Sequence, residues 1–278
     1  MIKLFTKKLK AIYRIIRPIN ITTDRYYENS LKLLPKFKSL EQTAGIYVVD
    51  FDFGIKIGLR NKNHSDLDVF RQIFILEEYD VISSLIKLNN SKLVINIIDA
   101  GANVGYTSLY FSTKIPNCRM FSIEPSRENF QLLKFNIETN SANAKLYNCA
   151  LAEVGGKKFD ISRDFRDSKD WSVTTTEKSD GNIDGITVNE IIVDNKLNYI
   201  SLLKIDIEGA ERFVFRDGLD LSYLRITQYI AIEIHDEFGI RDNINDILRD
   251  HGFILLQTGE LTIGINTRAL ELGDQVFS

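Results

Sequence analysis

Cysteine is scarce: only Cys118 and Cys149 occur in 278 residues. Two thiols without metal-ligand spacing exclude a disulfide framework, and a reducing cytoplasm is the simplest compartment. Long apolar runs are missing too. No stretch approaches the roughly 18 residues that span a bilayer, and no secretory-leader core opens the chain. A dominant charge is also absent, since 35 basic side chains face 38 acidic ones for a net charge of -3. That balance gives no global field for nucleic acid, which is not an expected partner. Internal repeats and low-complexity tracts are lacking.

What is present suffices for one catalytic domain over 69–278, preceded by an elaboration over 1–68. Residues 1–17 set Lys3, Lys7, Lys10 and Arg14 among Leu4, Phe5, Leu9 and Ile12 and close on Pro18. This basic amphipathic pattern suits docking on its own domain or on a second copy in a homo-oligomer. It also suits peripheral contact with an anionic membrane surface at the inner face. Ile46–Asp50 and Ile55–Leu59 flank a turn and predict a hairpin. Val69–Leu88 has helical periodicity. Strands are then expected at about 93–99, 120–124, 145–150, 199–206 and 228–235, with helices between them. Such alternation requires right-handed crossovers and a mostly parallel sheet. Two last strands, Phe253–Gln257 and Thr262–Asn266, are too close for anything but a terminal antiparallel hairpin. Between Gly155 and Gly185 the pattern breaks into polar pieces around Trp171, the only tryptophan, and reads as an active-site loop with Trp171 a substrate contact.

The most informative stretch is IIDAGANVGYTS, Ile97–Ser108. An apolar run ends in Asp99, Gly101 allows a sharp turn, and Gly105 opens a helix close to the sheet, with its first amides facing a cleft. Glu124 lies 25 residues beyond Asp99, where an acidic side chain accepts ribose hydroxyls. Ser126 caps the following helix. A dinucleotide fingerprint needs a middle glycine to clear space for pyrophosphate, and this loop has Ala102 there. Asp99 would also repel a diphosphate and suits an ammonium group. A cationic, phosphate-free nucleoside fits better, and S-adenosylmethionine (SAM) is that ligand.

A second constellation is LLKIDIEGAE, Leu202–Glu211, followed by QYIAIEIHD, Gln228–Asp236. Lys204 and Asp206 share a strand face, with Glu208 and Glu211 just beyond it. Glu211 has an alternative reading as a group complementing the helix dipole. Glu233 reads equally as a cross-strand partner of Lys204 or as a substrate contact. His235 should sit beside Asp206 if their strands are neighbours. His64 and His251 have no such company and read as structural.

Together these motifs resemble the FkbM family of SAM-dependent methyltransferases over roughly 69–234. The resemblance also rests on FSIEPSRENFQLLKFNIETN and on NCAL, Asn148–Leu151. It implies the class I methyltransferase (Rossmann-like) α/β fold: a seven-stranded, mostly parallel sheet with a terminal antiparallel hairpin, plus the N-terminal helical and hairpin elaboration. It further implies O-methylation of a small-molecule, sugar or glycan acceptor. Carried onto this chain, Asp99, Gly101, Ala102, Asn103 and Gly105 would hold the methionine portion. Glu124 would take the ribose, Ala150 and Leu151 the adenine edge, and Asp206 would lie near the methyl group. His235 or Asp206 is the expected general base, with Glu208 and Glu211 orienting acceptor hydroxyls. Asp206, His235 and Asp236 are an alternative divalent-metal set. Two rival classes are a nicotinamide-dependent oxidoreductase and a non-catalytic SAM-binding scaffold.

Overall fold

A computed structural model describes residues 24–89, 94–162, 174–216 and 218–270. Trp171 and the basic segment 1–17 lie outside the described residues. After helix α1 (Asp24–Lys32) come strands β1 (Phe37–Thr43), β2 (Ile46–Phe51) and β3 (Lys56–Leu59). They form an antiparallel sheet in the order β1-β2-β3. The expected hairpin is β2–β3; β1, whose residues are mostly exposed, is an addition that its polar sequence hides.

The helix expected over 69–88 is two helices. α2 (Asp66–Phe70) runs into a π-helical turn, Arg71–Ile75, and α3 (Asp80–Asn89) starts afresh. Glu77 between them adopts φ 51°, a left-handed conformation that no helix continues through. The interruption matters, because it turns Glu78 and Tyr79 toward the cleft described below.

From β4 (Ile95–Ala100) the chain alternates through α4 (Tyr106–Lys114), β5 (Cys118–Ile123), α5 (Arg127–Thr139) and β6 (Ala144–Tyr147). The short β7 (Ala150–Leu151) follows. Next come β8 (Lys158–Ser162), β9 (Thr174–Glu177) and β10 (Ile183–Ile186), then α6 (Val188–Asn195), β11 (Ile200–Ile205), α7 (Glu211–Val214) and β12 (Thr227–Glu233). α8 (Arg241–Asp250), β13 (Phe253–Thr258) and β14 (Leu261–Asn266) complete the described fold.

Seven strands form the main sheet in the order β13-β14-β12-β11-β4-β5-β6. β12-β11-β4-β5-β6 are mutually parallel, and β14 runs antiparallel to both of its neighbours. This is the class I methyltransferase order. Its central strands are apolar on both faces because helices cover both. Ile95, Ile97, Leu202 and Tyr229 join the core beneath α3, α4 and α5, while Ile98, Ala100, Leu203 and Ile230 join the core under α6 and α8. Each fully buried isoleucine or leucine contributes about 1.5–3 kcal/mol of transfer free energy.

The segment expected as a loop over 155–185 is in part a sheet. β8, β9 and β10 join β7 in the order β7-β10-β8-β9. β9 is three threonines and a glutamate with no apolar residue, so hydrophobic periodicity does not reveal it. Among the described residues, no helix is long and apolar enough to cross a membrane.

Candidate active site

A cavity of about 340 Å³ opens at the carboxyl ends of β4, β5, β11 and β12, where a doubly wound sheet places its ligands. Gly101, Ala102, Asn103, Glu124, Ala150 and Leu151 line one part of it. Glu78, Asp206, Glu208, Glu233 and Glu260 line another. Glu78 and Glu260 were not legible as site residues: Glu260 sits in the two-residue turn between β13 and β14, and Glu78 follows the break after the π-helical turn.

The glycine turn is held by its own amides. Gly101 N and Ala102 N donate to Ile123 O at 3.0 and 2.9 Å, and Gly105 N donates to Ala102 O. Asn103 N donates to Glu124 Oε2 at 2.9 Å. Those four donors are occupied, contrary to the expectation that amides of this loop face a ligand, and they leave no cradle for a diphosphate. Gly101 has φ 79°, and a Cβ there would stand 1.7 Å from Asp206 O. Gly105, at φ 90°, lies against Leu133 of α5, not against the sheet as expected; a Cβ would meet Leu133 Cδ1 at 2.6 Å.

Glu124 is the pivot of the cofactor end. Its Oε1 accepts from Ser126 N at 2.9 Å and Asn129 Nδ2 at 3.4 Å, while among the described residues Oε2 accepts only from Asn103 N. Oε2 therefore keeps accepting capacity at the cavity wall for a ribose hydroxyl. Burial pushes the Glu124 carboxyl up to about 7, although the amides of Ser126 and Asn103 pull the other way. Ser126 caps α5, its side chain accepting from Asn129 N.

Asp99 does not meet the cavity. It is fully buried, accepts from Ser108 Oγ at 2.7 Å and faces Lys204 Nζ at 3.2 Å. Lys204 is the register partner of Asp99, whereas Ala231 stands opposite it on β12, so the Lys204–Glu233 pair does not form. Lys204 also donates to Gly101 O at 2.8 Å and lies 3.7 Å from Asp206. Burial would discharge this ammonium, but Asp99 and Asp206 outweigh burial and hold its pKa above the ordinary lysine value. Asp206 lines the cavity, its side chain 31% exposed.

His235 sits behind the wall. It is 2% exposed and absent from the cavity lining. Its Nδ1 is 3.2 Å from Glu211 Oε1, and its Nε2 lies 3.4 Å from Glu208 Oε2 and 3.9 Å from Glu233 Oε1. Burial lowers the imidazole pKa, but Glu208 and Glu211 overcome it and raise the value to about 10. Buried behind the wall and outside the cavity lining, the ring does not reach an acceptor and is not placed as the general base expected from the sequence. Glu211 does not orient an acceptor either. It is fully buried, and its Oε1 also accepts from Ile207 N and Gly209 N, which makes it a brace for the turn and for His235. Asp236 is bound by Arg241 Nε and Nη2 at 2.5 and 2.8 Å, which takes it out of the expected metal set. Glu233 lines the cavity, and burial reinforced by Asp206 and Glu260 pushes its carboxyl up to about 8.

SAM fits these residues. Glu124 supplies a ribose acceptor, the loop presents no diphosphate cradle, and among the described residues six carboxylates and one cation, Lys204, line the cavity. That charge suits a sulfonium with an ammonium group. The chain is also similar to known proteins. The chain is 27% identical to Methyltransferase sdnD of Sordaria araneosa, over 56% of this chain and 73% of that protein. It is 23% identical to 31-O-demethyl-FK506 methyltransferase FkbM of Streptomyces tacrolimicus, over 58% and 73%. Among solved structures it matches SAM-bound fibrillarin of Aeropyrum pernix, at 12% identity and TM-score 0.37, over 83% of this chain and 99% of that one. The family profile described as Methyltransferase FkbM domain matches residues 99–255. With that match across more than half its length, the chain belongs to the FkbM methyltransferase domain family and is a SAM-dependent methyltransferase.

Proposed function

We propose that the protein methylates a hydroxyl oxygen on a neutral, hydroxyl-rich acceptor, a sugar, glycan or related natural product. The observation that carries this reading is the acidic wall of Glu78, Asp206, Glu208, Glu233 and Glu260. Carboxylates accept hydrogen bonds from hydroxyls and repel phosphates, so the wall favours polyols over nucleic acid. The relative from Streptomyces tacrolimicus, named as a 31-O-demethyl-FK506 methyltransferase, supports oxygen as the acceptor atom.

When bound, SAM supplies an electrophilic methyl on a sulfonium. The protein's tasks are to align the acceptor oxygen and to remove its proton. Glu124, Asn103, Ala150 and Leu151 hold the nucleoside end, which leaves the acceptor to the wall beyond Asp206. Asp206, beside the Lys204 ammonium, orients the acceptor and favours positive charge at the reacting end. Glu233, on the same wall, would take the hydroxyl proton in its ionised form, which gains ground as pH rises toward about 8, as the O–C bond forms and the C–S bond breaks with that bond's electron pair going to sulfur. His235 and Glu211 position Glu208 and the turn rather than move the proton.

The test is transfer of labelled methyl from SAM to paired panels of neutral glycans or alcohols and their phosphorylated counterparts. Label in neutral members is the expected result. Label confined to phosphorylated or nitrogen acceptors contradicts the reading, and cofactor binding with no transfer to any acceptor favours a scaffold.

A further inference from the structure

We propose that Asp206, Glu208 and His235 form a divalent-cation site in the wall of the cavity, taking an ion of the Mn²⁺ type. One ligand atom from each of the three lies within 4.8 Å of the other two. An ion with bonds of about 2.0–2.6 Å holds neighbouring ligands about 3–3.5 Å apart and opposite ones under about 5 Å, so modest closure completes the set. The Nε2 of His235 and Oε2 of Glu208, at 3.4 Å, already stand at the neighbouring-ligand distance.

A second observation concerns the imidazole, whose Nε2 lies 3.4 Å from Glu208 Oε2 and 3.9 Å from Glu233 Oε1. His235 is almost fully buried, and its Nε2 makes no hydrogen bond among the described residues while it faces the cluster. The opposite ring nitrogen, Nδ1, is held at 3.2 Å by the fully buried Glu211, whose Oε1 is fixed by the amides of Ile207 and Gly209. A carboxylate that holds the Nδ1 proton and turns Nε2 toward the cluster, where a cation would displace the Nε2 proton, is the usual outer-shell support of a metal-bound imidazole. One imidazole with two carboxylates suits manganese or another ion that accepts both oxygen and nitrogen ligands.

Charge favours occupancy as well. Glu78, Glu233 and Glu260 line the same wall as Asp206 and Glu208, and Lys204 is the one cation among the described lining residues. The set differs from the one expected from the sequence: Glu208 replaces Asp236, which Arg241 holds. An ion here would face the acceptor space, bind an acceptor hydroxyl oxygen and lower its pKa, with Glu233 left to receive the proton. That consequence rests on the methyl-transfer reading, whereas the binding itself does not.

The test is Mn²⁺ titration of the chelator-treated full chain, without SAM or acceptor, followed by the electron paramagnetic resonance signal of free Mn²⁺. One bound ion per chain is expected. Asp206→Asn and Glu208→Gln should each weaken binding tenfold or more, Glu211→Gln should weaken it about tenfold through the imidazole, and Asp236→Asn should leave it unchanged. Circular dichroism confirms that each variant is folded. Absence of a bound ion in the wild type, or binding that none of the three ligand-side variants weakens, overturns the proposal. Titration of the same samples with S-adenosylhomocysteine keeps the two readings apart. If the homocysteine product binds and Mn²⁺ does not, the ion site alone falls; if Mn²⁺ binds and the product does not, the methyltransferase reading falls.

Discussion

Glu124→Gln removes one charge from the buried centre of the cofactor end, and its effect on stability and on binding should have opposite pH signatures. In the folded protein burial raises this carboxyl from 4.5 to about 7. A raised pKa means that the folded state holds its proton more tightly than the unfolded chain. The stability it contributes is therefore complete below about pH 4.5 and is lost as pH rises through about 7. The full loss is about 3 kcal/mol, of which about 2 kcal/mol falls between about pH 5.5 and 8. Glutamine cannot ionise, so the cofactor-free variant should lose about 2 kcal/mol less than wild type between those two pH values in urea unfolding. Comparing differences cancels any constant cost from the new amide, whose NH₂ group meets the Asn103 or Ser126 N–H. Binding should respond the other way. A ribose hydroxyl donates to the ionised carboxylate, so wild-type affinity for S-adenosylhomocysteine should fall about tenfold from about pH 8 to 6. In the variant that dependence should vanish, and affinity at about pH 8 should be about ten- to a hundredfold weaker for loss of a charged acceptor. A variant that keeps the wild-type pH slope of stability, or that binds the cofactor product as wild type does, refutes the reasoning.

Glu233→Gln should lower kcat about a hundredfold or more while product binding to the cofactor end stays near wild type, as read by steady-state kinetics and calorimetry. Lys204→Met should destabilise the fold by about 3–5 kcal/mol, because Asp99 keeps its charge in the core without a partner, and the Asp99→Asn, Lys204→Met pair should recover part of that loss in thermal unfolding. Gly101→Ala should abolish cofactor binding, since its Cβ would stand 1.7 Å from Asp206 O; calorimetry of a folded, monodisperse sample checks it.

Much of the sheet was legible because its strands are short apolar runs that stop at polar residues: Ile97–Ile98 before Asp99, Leu203 and Ile205 before Asp206, Ile232 before Glu233. The terminal hairpin was legible from chain length alone, as two residues between β13 and β14 permit only an antiparallel return. Glu124 was legible by its distance from the glycine turn, and the structure does place it beneath Asn103. Other features depend on long-range placement. The partner of Lys204 is decided by which strands flank β11, and register sets Asp99, not Glu233, across from it. The fate of His235 depends on Glu208 and Glu211, which approach from the turn after β11 and surround the ring. Histidine at a strand end reads as a base until those charges are known. Glu78 and Glu260 reach the cavity only because Glu77 breaks a helix and Gly259 turns a hairpin. The small sheet of β8, β9 and β10 escaped because Thr174–Glu177 holds no apolar residue that could show a period.

The acidic wall should present a neutral hydroxyl to the methyl donor. Incubation with trideuteromethyl-labelled SAM and a mixed extract of neutral and phosphorylated acceptors, followed by mass spectrometry and location of the label, tests it most directly. The expected product is a trideuteromethyl ether on the oxygen of an uncharged, hydroxyl-rich molecule, formed by wild type and lost in Glu233→Gln. Label on nitrogen, carbon or a phosphorylated molecule, or equal labelling by Glu233→Gln, would contradict it.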